Sequence, residues 1–366
     1  MPPTAAVRDA RATSRPHVAA GRRTRRRIVV LTGIAVATAV TVVVALGIGP
    51  VPIPPGDTVA ILWHAATGTP AQLPGHLVVT ELRLPRTLLA LLAGAGLGVA
   101  GAAMQAFFRN PLAEPGVTGV ASGAAVGAVV VLVVGLDALG GWTLPVAAFV
   151  GAAVVLLVIQ AVSLVSRDRS PTTVLLIGIA LNAFCGALTG ALVANARDSQ
   201  TVRGAVFWLQ GDLTAADWDD LRISTLPVLL GVLLILAMTR EINVLLLGDE
   251  TAQSTGVHVA RVRLQLLVLT SIVVGSTVAV TGVIGFVGLV APHIVRLLLG
   301  SDHRVLLPGA AMLGGLFLVA ADTVARNAPV GTAWQTGVVT ALVGFTSAFT
   351  VVLAGLEGVG ASPTQA

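Results

Sequence analysis

The polar residues of this chain are few, so their positions are informative. Arg83-Leu84-Pro85-Arg86 opens an apolar run of membrane length. That run ends at Arg109-Asn110-Pro111-Leu112-Ala113-Glu114-Pro115-Gly116, and a second apolar run follows at once. A turn holding two prolines and one carboxylate is costly at membrane depth unless protein buries it or water reaches it. Such chemistry belongs to a transport path or a partner contact. A second polar block, Gly248-Asp249-Glu250-Thr251-Ala252-Gln253-Ser254-Thr255-Gly256, interrupts the apolar sequence further on. Asp249 and Glu250 favour a helix start and Gly256 a C-cap, so one or two turns of helix are expected. The block reads either as an ordinary surface connector or as a rigid peg on which another protein pushes.

Bond-making chemistry finds no support in the residue types. All 22 basic residues are arginine, so no phosphate-loop lysine can hold a nucleotide and no lysine Schiff base can form. There is no H-E-x-x-H, no pair of carboxylates within an apolar run and no Ser–His constellation. Cys185 is the single cysteine, so no intrachain disulfide can form. With no tyrosine, one cysteine and six scattered histidines, the chain lacks a cluster suited to bare iron. His293, alone after Pro292, reads as a packed structural residue. The expectation is a chain that is not itself an enzyme and holds no cofactor or metal.

The elements that position these blocks are membrane helices. Hydrophobic residues make up 55% of 366 and charged residues 11%, with mean hydropathy +0.92; a soluble domain averages roughly 25% charged. The fold class is therefore all-α, a polytopic integral membrane protein. Apolar runs split at Pro, Gly and charge clusters give ten spans: 28–48, 86–108, 117–136, 143–165, 173–195, 224–240, 264–284, 286–299, 305–325 and 334–356. Gly282, Gly285 and Gly288 blur the boundary between the seventh and the eighth.

Residues 1–27, with eight arginines and one Asp, are expected to form a disordered basic arm. Gly21–Arg27 resembles a twin-arginine export signal, but the run Ile28–Ile48 is too long for one and no A-x-A site follows. Residues 28–356 form the ten-helix domain, with the polar segment at 241–263, and 357–366 a short tail. Placing both termini inside puts sixteen arginines inside and six outside. Without the arm the margin is eight to six, so the first helix decides the orientation. The pI near 11.2 then follows from topology, with no nucleic-acid partner expected. Two outer segments are long. One, 49–85, contains a short helix around Asp57–His64; the other, 196–223, contains Trp208 and the acidic run Asp217, Asp219 and Asp220.

Small residues recur at every fourth position: Gly119, Gly123 and Gly127 in the third span, then Gly178, Asn182, Gly186 and Gly190 in the fifth. Each set shares one helix face and lets another backbone approach closely. The pattern fits tight packing, and equally the smooth wall of a pathway or a dimer seam. Asn182 favours the pathway, because an amide at mid-membrane needs a polar neighbour.

Five blocks in order, Arg83–Gly127, Leu175–Asn182, Leu247–Gly256, Gly285–Arg296 and Asp302–Gly309, resemble the FecCD-type permeases. These are the membrane subunits of ABC importers for iron–siderophore complexes, haem and vitamin B12. The resemblance implies a fold like the vitamin B12 importer permease, with ten helices in the cytoplasmic membrane and lipid around it. It implies a pore built with a second permease copy or a paralogue. It also implies partner ABC ATPase subunits that hold ATP and Mg, and an extracytoplasmic substrate-binding protein. Gly248, Asp249, Glu250, Thr251, Ala252, Gln253, Ser254 and Gly256 match the coupling helix seated in an ATPase groove. Arg83, Arg86 and Arg326 match a basic pocket for carboxylates of the binding protein; interfacial anchoring is the alternative for the first two. Pro171 and Thr172 fall where the family narrows its pathway, or mark an ordinary helix start with proline in its first turn. Asn182 and Gly186 are the pathway candidates, while Asn110, Pro111, Glu114 and Pro115 are motif residues that hold their turn.

One departure stands out. The family's E-L-P-x-G is here Ala333-Trp334-Gln335-Thr336-Gly337, and its G-A-P-F-F is Gly344-Phe345-Thr346-Ser347-Ala348. Losing that proline removes an expected kink. The expected cargo is an intact iron–siderophore complex, ahead of vitamin B12 or haem. The rival reading is an ion-coupled secondary transporter, which needs carboxylates or histidines near mid-membrane. Asp322 is the nearest such group.

Overall fold

The computed structural model describes residues 15–69, 73–165, 170–328 and 334–346. Arg167, Arg169, Ala333, Ser347, Ala348, the end of the expected last span and the tail 357–366 lie outside the described residues. Among those described, seven helices are long and apolar enough to cross a membrane and three more are shorter apolar helices. They follow the order of the ten expected spans.

The helices are α1 (Arg15–Gly47), α2 (Pro55–Thr67), α3 (Leu84–Phe107), α4 (Val120–Val134), α5 (Thr143–Val165), α6 (Pro171–Ala194) and α7 (Ser199–Leu209). Then come α8 (Trp218–Ala237), α9 (Thr239–Leu245), α10 (Asp249–Ser254), α11 (Val259–Thr281), α12 (Val287–Leu299) and α13 (His303–Arg326), with α14 at Thr336–Thr346. A π-helical turn, Val78–Arg83, leads into α3. The short outer helix expected at Asp57–His64 is α2.

Three boundaries depart from the sequence reading. Helix α1 begins at Arg15, so residues 15–27 continue a helix where a disordered arm was expected; nothing after Pro16 breaks the helical run. Helix α8 begins six residues before the expected span because Asp217 caps it. The Asp217 side chain accepts the amides of Asp219 and Asp220 at 2.9 Å each, and Asp220 returns the bond in a capping box. The acidic run is thus a helix start. Helix α7, N-capped by Asp198, is an element the outer segment did not announce.

Helix α3 is the hub, with α13, α12, α11 and α8 packed around it. Its approach to α13 depends on missing side chains. A Cβ on Gly94 would lie 2.3 Å from Gly314 O, and one on Gly98 2.3 Å from Ala310 O. Without a hydrophobic force between helices in lipid, such close backbone contact supplies the packing energy. The small-residue stripe on α4 does the same work against α5, where Gly123 and Gly127 meet the carbonyls of Gly151 and Ala147. The α6 stripe divides. Gly178 meets Val117 O, while Gly186 and Gly190 have nothing within 4 Å.

Helix α12 spans about 20 Å at 1.5 Å per residue, short of the roughly 30 Å hydrocarbon core. The remaining distance is covered by the irregular segment between Thr281 and Val287. Backbone of that kind survives at membrane depth only when protein encloses it, and the polar turn after α3 supplies the enclosure.

Candidate functional site

The turn after α3 begins with Arg109 in the left-handed region (φ 49°), which ends the helix. Asn110 then closes a tight turn, its Oδ1 accepting the Leu112 amide at 2.9 Å and its carbonyl the Ala113 amide at 3.1 Å. Pro111 follows, and the chain folds back along α3. A Cβ on Gly288 would lie 2.7 Å from Pro115 Cδ and 3.0 Å from Leu97 O, so Pro115 sits beside the middle of α3. Leu97 lies about 15 Å back from the helix end at 1.5 Å per residue. At this depth the Phe286 amide donates to Glu114 Oε1, immediately before α12. Phe286 has φ 67°, the second non-glycine residue in the left-handed region among those described.

Glu114 therefore places a carboxylate at the positive end of the α12 dipole and satisfies an amide that would otherwise be orphaned. Local motif reading assigns Glu114 no role beyond its turn, because the partner lies 172 residues away. Asn182 completes the assembly. It donates to the carbonyls of Gly116 at 3.1 Å and Val117 at 3.4 Å, and Ser122 Oγ donates to its Oδ1 at 2.5 Å. The polar neighbour that Asn182 requires is this turn, and the side chain stays half-exposed on α6. Gly186, one turn further along, does lie on an exposed face of α6.

Arg109 also reaches sideways. Its Nε donates to Leu245 O at 3.0 Å and its Nη2 to Asp249 Oδ1, the same oxygen that accepts Arg263 Nη2 at 2.9 Å. Asp249 is the first residue of α10, so one carboxylate clasps that helix to the end of α3 and to α11. Gly248 enters α10 with φ 105°. The exit uses the αL residue expected of Gly256 (φ 85°), with the Gly256 amide on Gln253 O and the Val257 amide on Ala252 O. Ala252 is buried, while Glu250, Thr251, Gln253, Ser254 and Gly256 are exposed. The result is a short polar peg with one face anchored and the other presented outward.

The opposite end of the bundle gathers Arg83, Arg86 and Arg326 on the wall of a cleft of roughly 820 Å³, together with Glu81, Asp212, Asp217 and Trp334. Their guanidiniums point inward. Arg83 is buried and donates to Leu46 O (2.7 Å), Gly47 O (3.1 Å) and Val51 O (2.7 Å), and Arg326 donates to Ala45 O. Between them they satisfy the last carbonyls of α1, where a cation also answers the negative end of the helix dipole. Arg86 donates through Nε to both Asp322 oxygens (3.1 and 3.0 Å) and through Nη2 at 2.8 Å. The two side chains are only 12% and 3% exposed. Thr336 Oγ1 adds a bond to Asp322 at 3.0 Å. The three arginines expected to share a pocket do line one cleft, and much of their donor capacity is used by α1 and Asp322. The same ion pair removes Asp322 as a free relay for a coupling ion.

Pro171 and Thr172 open α6. Ser170 is the N-cap, its Oγ accepting the Thr173 amide at 3.2 Å, and Pro171 stands in the first turn. His293 is half-buried with its Nε2 unpartnered, and no group of three His, Cys, Asp or Glu side chains gathers among the described residues. In the atypical last block, a Cβ on Gly344 would lie 2.4 Å from the Phe286 side chain, so α14 packs over the strained residue that Glu114 holds. Arg263, Asp322 and Phe286 entered the sequence reading without these roles. The signal that could have found a partner for Asp322 is that a carboxylate in an apolar span needs a charge or hydrogen-bonding partner.

Residues 22–354 match the FecCD transport family. The chain is 43% identical over 275 residues to the cobalamin import system permease protein BtuC of Halobacterium salinarum, covering 74% of this chain and 71% of that one. It is 42% identical over 267 residues to the hemin transport system permease protein HmuU of Yersinia pestis, covering 72% and 79%. A solved structure described as an inward-facing metal-chelate type ABC transporter superposes with TM-score 0.78 at 30% identity, over 89% of this chain and 99% of that one. The chain belongs to the FecCD transport family and is a multi-pass membrane permease of the ABC importer class.

Proposed function

We propose that this permease moves an intact iron–siderophore complex inward across the cytoplasmic membrane, with separate ABC ATPase subunits supplying the energy. The carrying observation is the peg: α10 is anchored through Asp249 and offers Glu250, Thr251, Gln253 and Ser254 to solvent. A partner that closes around this face would push on α3, α11 and the polar turn together, because Arg109, Asp249 and Arg263 tie them. The turn holds Phe286 and the start of α12, so the push has a route to the middle of the bundle. Alternating access requires that cargo affinity differ between states, and the exposed surface of α6 around Gly186 and Gly190, apolar apart from half-exposed Asn182, offers cargo few polar anchors, so release is easy.

A second permease copy or a paralogue would cover the exposed face of α6 around Gly186 and complete the pore. Pro171 and Thr172 would narrow it on the inner side. The cleft bounded by Arg83, Arg86 and Arg326 is the docking place for an extracytoplasmic binding protein. With their charges committed, these arginines set the shape of the cleft and the rim makes the contacts.

The lack of tyrosine and the scatter of the histidines favour a cargo whose metal stays in its chelator. The names of the relatives favour a second reading, cobalamin or haem, since both are metal chelates. Uptake assays in cells lacking the native chromosomal copy, using radiolabelled ferric siderophore, haem and cobalamin, decide between them. Uptake of cobalamin alone overturns the siderophore reading.

A further inference from the structure

Three guanidiniums line a pocket of about 400 Å³ at the end of the bundle where the membrane part of α1 begins. Arg26 and Arg27 come from α1 and Arg296 from the last turn of α12; the segment Leu297–Asp302 forms the rest of the lining. Asp302 is the only carboxylate in it, 3.7 Å from Arg27, and both of those side chains keep more than a third of their surface in solvent. Arg26 is exposed. Arg296 gives Nη2 to Gln105 Oε1 at 2.7 Å, while its Nη1 is buried with no partner. The pocket thus holds more positive charge than its own residues answer.

The surroundings of that charge are apolar and outward-facing. Ile28, Val29 and Leu297 are each at least 60% exposed beside it. Behind them Val295, Leu299 and Leu306 are sealed by Val30 and Leu31 of α1. A soluble anion would meet the guanidiniums and gain nothing from the flank. A molecule with a phosphate head and hydrocarbon tails uses both, because arginine matches phosphate through charge-assisted bonds and the tails cover Ile28, Val29 and Leu297. We infer that this pocket binds an anionic phospholipid, with its phosphate among Arg26, Arg27 and Arg296 and its acyl chains along the exposed flank. The lipid has structural work to do, since little of α1 is buried against the other helices. Bridging α1 to α12, it fastens the outermost span to the bundle. The inference does not depend on the cargo or the coupling mechanism.

The test uses the full chain in nanodiscs of phosphatidylcholine alone or with a minor fraction of phosphatidylglycerol, followed by native mass spectrometry of retained lipid. The wild-type chain should retain phosphatidylglycerol in preference to phosphatidylcholine. Each arginine near an anionic headgroup contributes about fivefold, so Arg26→Gln with Arg27→Gln should lower retention roughly 25-fold and Arg296→Gln about fivefold. The double variant changes exposed or half-exposed side chains, so it tests the site even if Arg296→Gln fails to fold. Inorganic phosphate is titrated in a parallel arm. No preference for phosphatidylglycerol, or a preference that both variants keep, overturns the inference. So does displacement by inorganic phosphate at concentrations matching those of the lipid, which would make the pocket a free-anion site.

Discussion

Replacing Asp249 by Asn separates two roles that a peg must combine, holding and being held. The substitution keeps the helix start but removes the charge shared by Arg109 and Arg263. Arg109 and Asp249 are 37% and 38% exposed, so solvent screening limits their pair to at most about 1 kcal/mol. Arg263 is only 11% exposed and would be left with an unanswered charge, which raises the cost. Together these give about 1–2 kcal/mol in the anchoring of α10, or roughly a tenfold shift toward an unlatched peg. In complexes reconstituted with the ATPase partner, Asp249→Asn should still assemble, because Glu250 and Gln253 form the outward face. ATP hydrolysis should persist while cargo moved per ATP falls about tenfold at that energy. Arg109→Gln leaves the Arg263–Asp249 pair in place and should uncouple less, and the double variant should fall short of the sum of the two, since the Arg109–Asp249 bond is common to both. Wild-type uptake per ATP in Asp249→Asn refutes the latch.

The buried pair at the other end predicts stability effects instead. Arg86→Gln or Asp322→Asn should each cost about 3–5 kcal/mol, read as a lowered melting point in detergent, and Arg86→Met with Asp322→Leu together should cost less than either. Gly101→Ala would place a methyl carbon 1.9 Å from Gly288 O, so it should lower the melting point by the equivalent of about 1–3 kcal/mol. Gly186→Ala, with nothing within 4 Å, should leave the melting point of the isolated chain unchanged and alter uptake only in the assembled pore. Glu114→Gln keeps a hydrogen-bond acceptor but loses the charge facing α12. A loss of about 1–2 kcal/mol is expected, with hydrogen exchange at the start of α12 rising accordingly.

The order and number of the spans were legible because hydrocarbon thickness imposes long apolar runs, and the peg was legible because an acidic start and a glycine stop are local signals. What the residues did not disclose is long-range. Arg86 and Asp322 are 236 residues apart, and Glu114 and Phe286 are 172 apart; no spacing rule connects them. Arg83, Arg86 and Arg326 looked available for a partner, yet much of their capacity serves α1 and Asp322. Asn182 was recognised as needing a neighbour, but its nearness to the turn at Gly116 depends on how α4 folds back. Helix α12 fell short of a full span because Gly282 and Phe286 adopt left-handed backbone, which only enclosure by Glu114 and Gly344 sustains.

Under the proposed coupling, energy enters this permease as force applied to α10 from a separate ATPase. The direct measurement is cargo uptake and ATP hydrolysis in proteoliposomes containing the purified chain alone, then with the ATPase partner added. Neither activity is expected from the chain alone, and both together once the partner is present. Hydrolysis of ATP, or accumulation of cargo driven by a pH gradient, by the chain without its partner would contradict that coupling.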